Sequence, residues 1–324
     1  MKRVQYFVVA MALLVSVNVY SFNVKIGVLA PEGTTWSKNL KKIASEVKSA
    51  TNGEINFKFY FGGSQGDEVD VLRKIRIGQL HGGIFTGKTL GDISGDLRIM
   101  EVPFTFNENR EKAYKILKGM APYFNSKLEK EGFQNLGFIE IGLVFFISQK
   151  KAESLDGLNG IKIWLWEGDE LATTMMQTMG FVSVPLPLPD VLSSLSTGIV
   201  EATYAPPTGI VALQWNTKVK YLVDFPLAYS IGAFLIDSKV WKNVPVKHKK
   251  TVEQICEKYI NVVNEVGISE NKDALRAMKS LGVEFVKFPE KDIIKGKEIR
   301  KKVIEQLKGK LFSTKVIDLI NKQL

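Results

Sequence analysis

The stretch VKIGVLAPEGTTWSKNLKKIASEVKSATNGEINFKFY, residues 24–60, decides the fold class. Its start, residues 24–29, is mostly apolar, as in a buried strand. Thr34 and Thr35 suit a helix N-cap, and after them apolar residues recur at helical spacing at Trp36, Leu40, Ile43 and Val47. Asn52-Gly53 predicts a turn, and the alternation of Ile55, Phe57 and Phe59 predicts a second strand. The stretch therefore predicts strand, helix, strand.

The same alternation continues along the chain. A helix is predicted over residues 67–78, and apolar Ile84 and Phe85 follow it as a third strand. Strands alternating with helices predict a mostly parallel sheet covered by helices, with ligands received at the strand ends. Predicted strands at 138–148 and 161–166, and a helix from Asp169 that stops at Gly180, indicate a second α/β lobe.

Composition excludes several classes of protein. The 324 residues are 45% hydrophobic and 24% charged, which is typical of a folded chain with room for two domains. A single cysteine, Cys256, forms no intramolecular disulfide, and two histidines cannot supply a usual zinc site, so no cofactor is predicted. The net charge is +10, but the lysines are dispersed among acids, which indicates a solvated surface rather than a nucleic-acid interface.

Residues 1–21 have the layout of a cleavable secretory signal. Lys2 and Arg3 precede an apolar run over residues 4–19, and small Ser21 follows. The alternative, an uncleaved membrane anchor, is disfavoured because the run is short and contains polar residues. We expect cleavage after Ser21 and a mature protein in the periplasm.

Residues 82–89, GGIFTGKT, match the phosphate-loop pattern. A working loop needs a strand that ends before its first glycine and a helix that begins at the lysine. Here strand-like Ile84 and Phe85 lie inside the supposed loop, and Gly91 and Gly95 interrupt the segment that follows. We therefore interpret the match as coincidental, and no catalytic constellation of serine, histidine and acid is evident either. The chain is not predicted to be an enzyme.

Two interpretations fit the acidic residues Glu167, Asp169 and Glu170. Their carboxylates could hold a hard cation. Alternatively, Asp169 caps a helix and Glu170 lies in its first turn, where a negative charge suits the free amides and the helix dipole. Capping is the favoured interpretation.

Tryptophans define the most informative surface. In a strand over residues 161–166, Trp164 and Trp166 point to one side, and Ile161, Ile163 and Leu165 to the other. Core packing would explain such a face. An aromatic cleft wall would explain it too, and the positions of the tryptophans near element ends favour this second interpretation.

Five segments occur in a characteristic order: GQLHGGIFT at 78–86, VPFTF at 102–106, LDGLNGIKI at 155–163, VPLPLPDVLSSLSTGIVEA at 184–202 and VKYLVD at 219–224. In order and spacing they resemble the extracytoplasmic solute-binding proteins of TRAP transporters, the DctP family, over nearly the whole mature chain. The resemblance implies a periplasmic-binding-protein-like α/β fold, similar to type II, with mixed sheets and crossing strands. A long lobe-spanning helix would include residues 252–266. Lobe 1 would comprise residues 22–142 and 230–272, and lobe 2 residues 143–229 and 273–324.

The resemblance also has two departures. Most family members have an arginine at the position of Trp164, where its guanidinium pairs with the solute's carboxylate, and an asparagine at the position of Ala205. An indole has one N–H donor, no charge and a large apolar face. We therefore expect a hydrophobic or amphipathic solute in an aromatic-lined cleft between the lobes. The predicted ligand-binding residues are Glu32, Thr34, Trp36, Phe85, Thr86, Trp164, Trp166, Glu167, Tyr204, Ala205, Gln214 and Trp215.

Partners follow from the same resemblance. Family members hand their solute to membrane permease subunits. The segments WLWEGD at 164–169 and ALQW at 212–215 resemble a variant branch that associates with a periplasmic tetratricopeptide-repeat protein. Two alternatives stay open: a receptor for a small carboxylate bound through a cation on Glu167 or Asp169, and a carrier that works with the repeat protein without a permease.

Overall fold

The computed structural model describes residues 21–324. The predicted signal peptide lies outside the described residues, apart from Ser21. Within residues 21–324, none of the helices has both the length and the apolar character needed to cross a membrane.

Ten strands and eleven α-helices make up the described chain. The strands are β1 Phe22–Val28, β2 Ile55–Tyr60, β3 Gly82–Thr86, β4 Phe133–Ser148, β5 Lys162–Trp166, β6 Val182–Leu186, β7 Ala202–Ala205, β8 Tyr221–Val223, β9 Ala228–Asp237 and β10 Glu284–Val286. The helices are α1 Thr35–Ala50, α2 Glu68–Arg76, α3 Gly87–Ile93, α4 Arg110–Lys130, α5 Glu170–Met179, α6 Val191–Thr197, α7 Pro207–Ala212, α8 Ser238–Lys242, α9 Val246–Ser280, α10 Glu290–Leu307 and α11 Thr314–Asn321.

The strands form two lobes that share β4. Hydrogen bonds join them in the order β2-β1-β3-β9-β4-β7-β5-β6, and β8 pairs with both β4 and β10. In the first lobe β1, β2 and β3 are parallel, and β9 runs antiparallel to β3 and β4. From Phe145 onward, β4 instead pairs with β7 of the second lobe. The predicted two-lobe α/β fold with mixed sheets and crossing strands is confirmed.

Several helices begin and end at the capping residues and glycines that the sequence analysis identified. Thr34 caps α1 by accepting a hydrogen bond from the Ser37 N–H, and Asp169 caps α5 through the Ala172 N–H. Such caps stabilise a helix by about 1 kcal/mol because they satisfy an otherwise free amide. Gly180 and Gly198 end α5 and α6 in the left-handed conformation that glycine adopts without strain.

Helix α9 follows β4 through both lobes and is longer than the 252–266 segment that marked it in the sequence. It supplies side-chain amides where the β4 ladder is irregular. Asn264 accepts from the Glu140 N–H at 2.8 Å and donates to the Phe138 carbonyl, and Asn271 donates to the Ile141 carbonyl at 3.0 Å. The register of β4 against β9 shifts at these places, between Asn135 and Phe138 and between Glu140 and Gly142. The amides therefore pair backbone groups near the places where the ladder is interrupted.

The C-terminal helices contact both lobes. In the first lobe, Asp96 accepts hydrogen bonds from the Ser313 N–H and Oγ at 2.7 and 2.8 Å. In the second lobe, the Leu155 N–H donates to Asp292 of α10 at 2.8 Å. The largest core cluster accordingly contains side chains of both lobes together with α10 and α11. Residues 273–324, predicted to belong to lobe 2, thus contact both lobes. The boundaries between the lobes stay a prediction.

Two glycines offer a matched test of packing. A Cβ at Gly82 in β3 would lie 2.5 Å from the Leu235 carbonyl oxygen, whereas a Cβ at Gly267 in the interior of α9 would meet nothing within 4 Å. We expect Gly82→Ala to lower the free energy of unfolding by about 1–3 kcal/mol through overpacking. Gly267→Ala should raise it by about 0.5–1 kcal/mol because alanine loses less backbone entropy in a helix. Urea denaturation of both variants measures the free energy of unfolding. Equal changes in the two variants would contradict the close approach of Gly82 to Leu235 that the pairing of β3 with β9 requires.

Candidate functional site

A cleft of about 600 Å³ lies between the lobes. Its floor is the middle of β4 and the adjoining part of α9, and its walls are the ends of β1, β3, β5 and β7 with the starts of α1, α5 and α7. Strand ends and helix starts meet here because the parallel strands of each lobe are followed by helices. This is where an α/β fold receives ligands.

One wall of the cleft is aromatic. The Trp164 ring lies 5.2 Å from that of Tyr204 in a stacked arrangement and 5.4 Å from that of Trp215 in an edge-to-face arrangement. Trp166 continues the wall, with its ring centroid 5.9 Å from that of Trp164. The predicted alternation is confirmed: Ile161, Ile163 and Leu165 belong to one core cluster, and Trp164 belongs to another.

The polar edges of both β5 indoles are already bonded within the chain. Trp164 Nε1 donates to the Leu186 carbonyl at 3.0 Å. Trp166 Nε1 donates to Asp67 Oδ2 of the first lobe at 3.2 Å, so it also bridges the cleft. The N–H groups of both indoles are therefore already satisfied within the chain, and Trp164 is 2% exposed. The Tyr204 hydroxyl is buried and has no hydrogen-bond partner within residues 21–324.

Three residues beyond Trp166, Asp169 belongs to a buried ionic cluster that also lines the cleft. Arg98 Nη2 donates to both carboxylate oxygens of Asp169 at 2.8 Å, and Nη1 donates to Glu101 Oε2 at 2.5 Å. The three side chains are 7%, 7% and 9% exposed. Glu101 also accepts from Ser230 Oγ and the Ile231 N–H at 2.9 Å each. Burial raises the pKa of Glu101, and the Arg98 charge opposes that rise.

The other basic groups near the cleft are also paired. Lys88 contacts Asp92 at 2.8 Å, and Arg110 donates through Nε to Glu140 Oε1 at 2.6 Å. The charged residues of the cleft lining are two basic and six acidic: Lys88, Arg98, Glu68, Glu101, Glu140, Asp169, Glu270 and Asp273. Both basic side chains of the described lining therefore carry an internal counter-ion. A solute's carboxylate would find no free partner there and would lose its hydration.

Most of the predicted ligand-binding residues line the cleft: Thr34, Trp36, Thr86, Trp164, Trp166, Tyr204, Ala205 and Trp215. Phe85 does not, because it is fully buried on the other face of β3 within the main core cluster. Glu32 is exposed and pairs with Lys41 at 2.7 Å. Glu167 and Gln214 also lie outside the lining, and Gln214 is in a left-handed turn with φ 60°.

Sequence reasoning missed the ionic residues Arg98, Glu101 and Glu68. Arg98 and Glu101 lie in a short 3-10 helix, Gly95–Glu101, where no periodicity or motif distinguishes them. Asp169, the partner of Arg98, caps α5 as predicted, but its bond to Arg98 joins residues 71 positions apart. A charged pair buried across lobes has no local signal in the sequence.

The remaining motifs have structural explanations. In GGIFTGKT the first five residues are strand β3, and α3 begins at Gly87 rather than at the lysine. A Cβ at Gly83 would lie 2.6 Å from the Phe85 ring, and one at Gly87 would overlap the Glu101 carboxylate, so close packing accounts for both glycines. No group of three side chains suited to a metal ion occurs in residues 21–324.

Known proteins match this chain over most of its length. The model of the family described as bacterial extracellular solute-binding protein, family 7, named DctP, matches residues 26–310. The chain belongs to the DctP family. It is thus an extracytoplasmic solute receptor of the TRAP type rather than an enzyme.

Relatives of this DctP-family chain are distant in sequence. The C4-dicarboxylate-binding periplasmic protein DctP of Rhodobacter capsulatus is 23% identical over 257 residues, which cover 79% of this chain and 76% of the relative. A TRAP periplasmic solute-binding protein of Desulfovibrio salexigens, solved with orotic acid, has a TM-score of 0.84 at 20% identity, covering 94% of this chain and 97% of that one. One from Pseudomonas putida F1, solved with D-glucuronate, has a TM-score of 0.83 at 20% identity, covering 93% and 96%.

Glu68 gives the cleft a titratable group near neutral pH. Its side chain is buried and accepts hydrogen bonds from the Thr86 N–H and Oγ1, each at 2.9 Å. Burial raises the pKa of Glu68 from 4.5 to about 7, although the Thr86 donors oppose the rise. Between about pH 4.5 and pH 7, the Glu68 carboxyl is therefore protonated in the folded chain and ionised in the unfolded chain.

The stability of the DctP-family fold should consequently fall as the pH rises from about 4.5 to about 7, by up to about 3 kcal/mol from this group. Glu68→Gln cannot titrate and should lack this part of the pH dependence. Urea denaturation of both proteins at pH 5 and pH 7.5 measures the difference. Parallel pH dependences would show that Glu68 is ionised in the folded chain.

Proposed function

We propose that this protein is the periplasmic receptor of a TRAP-type transport system and that it binds a hydrophobic or amphipathic small molecule in the aromatic-lined cleft. The observation that carries the proposal is the pairing of both basic side chains of the described cleft lining with carboxylates of the chain itself. A receptor for an organic acid would need a cation left free for the solute.

Apolar surface supports the same solute class. In the aromatic wall Trp164 and Trp215 are buried and Trp166 and Tyr204 are half-buried. Apolar Leu171, Met175, Leu188 and Val211 extend the cleft lining beside them. Burial of apolar solute surface against such side chains contributes about 25 cal/mol per Å². The Tyr204 hydroxyl and Glu68, in whichever protonation state the pH sets, are available to orient one polar group of the solute.

Two solved relatives were determined with the acids orotic acid and D-glucuronate. The proposal therefore separates this chain from them in solute class while keeping the shared receptor fold. The alternative of a carboxylate bound through a cation is disfavoured, because Asp169 is engaged by Arg98 and Glu167 lies outside the cleft lining.

The proposed partners are TRAP permease subunits in the membrane and a periplasmic tetratricopeptide-repeat protein, which would suit delivery of a poorly soluble molecule. Export would rest on the signal peptide predicted over residues 1–21. A carrier that needs only the repeat protein remains the alternative, and purification of the receptor from membranes with crosslinked permease subunits would distinguish the two.

Native mass spectrometry of protein purified from its own periplasm tests the solute class. We expect an apolar or amphipathic molecule at about one per chain, released by organic solvent and identified in the extract. Recovery of a small carboxylate, above all one lost on chelation of divalent metal, would overturn the proposal.

Trp164 provides a test by substitution. Trp164→Arg inserts a guanidinium without a counter-ion beside Tyr204 and Trp215, so we expect affinity for the neutral fluorescent probe N-phenyl-1-naphthylamine to fall more than about tenfold. Trp164→Phe, which keeps an aromatic face and loses only the bond to Leu186, is the matched control and should change affinity much less. Unchanged probe affinity in folded Trp164→Arg would show that this face is not part of the binding site.

A further inference from the structure

We propose that Asp169 is a specificity-determining residue whose carboxylate occupies, on the Arg98 guanidinium, the place that an acidic solute's carboxylate would otherwise take. The inference rests on the proposed function in one respect, that the interlobe cleft is where solute binds. It adds the device by which acids are excluded.

The two partners come from opposite sides of the cleft. Arg98 lies in the Gly95–Glu101 segment of the first lobe, and Asp169 lies at the start of α5 in the second lobe. Both side chains line the cleft, and each is only 7% exposed. The bond between them therefore joins the two lobes within the lining of the cleft.

Bonds within the chain hold the Asp169 carboxylate in place for this contact. Its Oδ1 accepts the Ala172 N–H at 3.0 Å as the cap of α5, which fixes the carboxylate at the helix start. Both of its oxygens accept from Arg98 Nη2 at 2.8 Å. Arginine commonly pairs with the carboxylates of acidic ligands, and here one of its terminal nitrogens already serves both oxygens of Asp169.

Arg98 has no remaining need for an external anion. Glu101, on its own lobe, accepts from the other terminal nitrogen and is itself held by Ser230 and the Ile231 N–H. A solute's carboxylate at this place would have to displace Asp169 and leave that carboxylate buried without a partner, which is unfavourable. The cleft thus accepts a neutral molecule and rejects an acid of the same shape.

The same pair supplies the attraction between lobes that a charged solute would otherwise supply. Trp166 adds a second bond across the cleft, to Asp67 at 3.2 Å. A solute without charge can then be enclosed by a chain whose lobes already bind each other.

Removal of the Asp169 carboxylate should convert Arg98 into a binding site for small acids. We expect Asp169→Ala to bind formate or acetate saturably, with a Kd at least tenfold lower than that of the unsubstituted protein and with a rise in Tm. Isothermal titration with the sodium salts, against sodium chloride at equal ionic strength, measures the binding. Asp169→Ser, whose hydroxyl preserves the helix cap, serves if the alanine variant does not fold.

Two controls assign the effect to Arg98. Asp237→Ala removes a helix-capping aspartate of α8 far from the cleft and should gain no affinity for either acid. Arg98→Met combined with Asp169→Ala should lose the gained affinity. The proposal is overturned if the folded Asp169 variants ignore both acids, if the double variant still binds them, or if the unsubstituted protein binds them equally well.

These outcomes are separable from those of the proposed function. Binding of N-phenyl-1-naphthylamine by the unsubstituted protein reports on the apolar solute class and does not depend on Asp169. Gain of acetate binding by the variant without probe binding by the parent would support the role of Asp169 and refute the apolar solute. Probe binding by the unsubstituted protein, with no gain of acetate binding in the Asp169 variant, would support the apolar solute and refute the role of Asp169.

Discussion

Strand β4 belongs to both lobes, and the rest of the structure depends on how its backbone is satisfied. Its first part pairs with β9, its end pairs with β7, and its ladder is interrupted near Gly137 and Gly142. A buried peptide group without a partner costs about as much as a lost hydrogen bond. Asn264 and Asn271 of α9 supply those partners, so the long helix must run beside the strand. Together the two elements form the floor of the cleft.

The side chains that border this floor determine the chemistry of the cleft. On one side, Trp164 and its neighbours turn apolar faces inward, and the N–H groups of Trp164 and Trp166 are bonded to the chain. Beside them, the buried Arg98 is paired with Glu101 of its own lobe and with Asp169 of the other lobe. Both basic side chains of the described cleft lining have counter-ions within the chain, so in the proposed function the cleft offers a solute mainly apolar contact. The proposed solute choice thus rests on an internal ion pair as well as on the aromatic residues.

Much of the fold was accessible from local patterns. Apolar spacing predicted the early strands and helices, and capping residues such as Thr34 and Asp169 marked helix starts within a residue. The alternation of residues 161–166 correctly separated a core face from a tryptophan face. In β3, the sequence does not show which face packs in the core. Phe85, a predicted ligand contact, is buried in the core. Both faces of that strand are covered, and alternation alone does not distinguish a core from a cleft.

The amino-acid sequence by itself determined the α/β class, several element ends, the resemblance to TRAP receptors and the placement of Trp164 on the face of β5 opposite Ile163 and Leu165. Those features arise from hydrogen bonds and side-chain periodicity within a few residues of each other. Only the tertiary structure decided that Arg98 meets Asp169, that Trp166 reaches Asp67 and that Glu68 is buried beside Thr86. Whether a charge is free or neutralised depends on partners brought together from distant parts of the chain. The affinity of the cleft for charge is therefore a property of the folded protein, which no single segment contains.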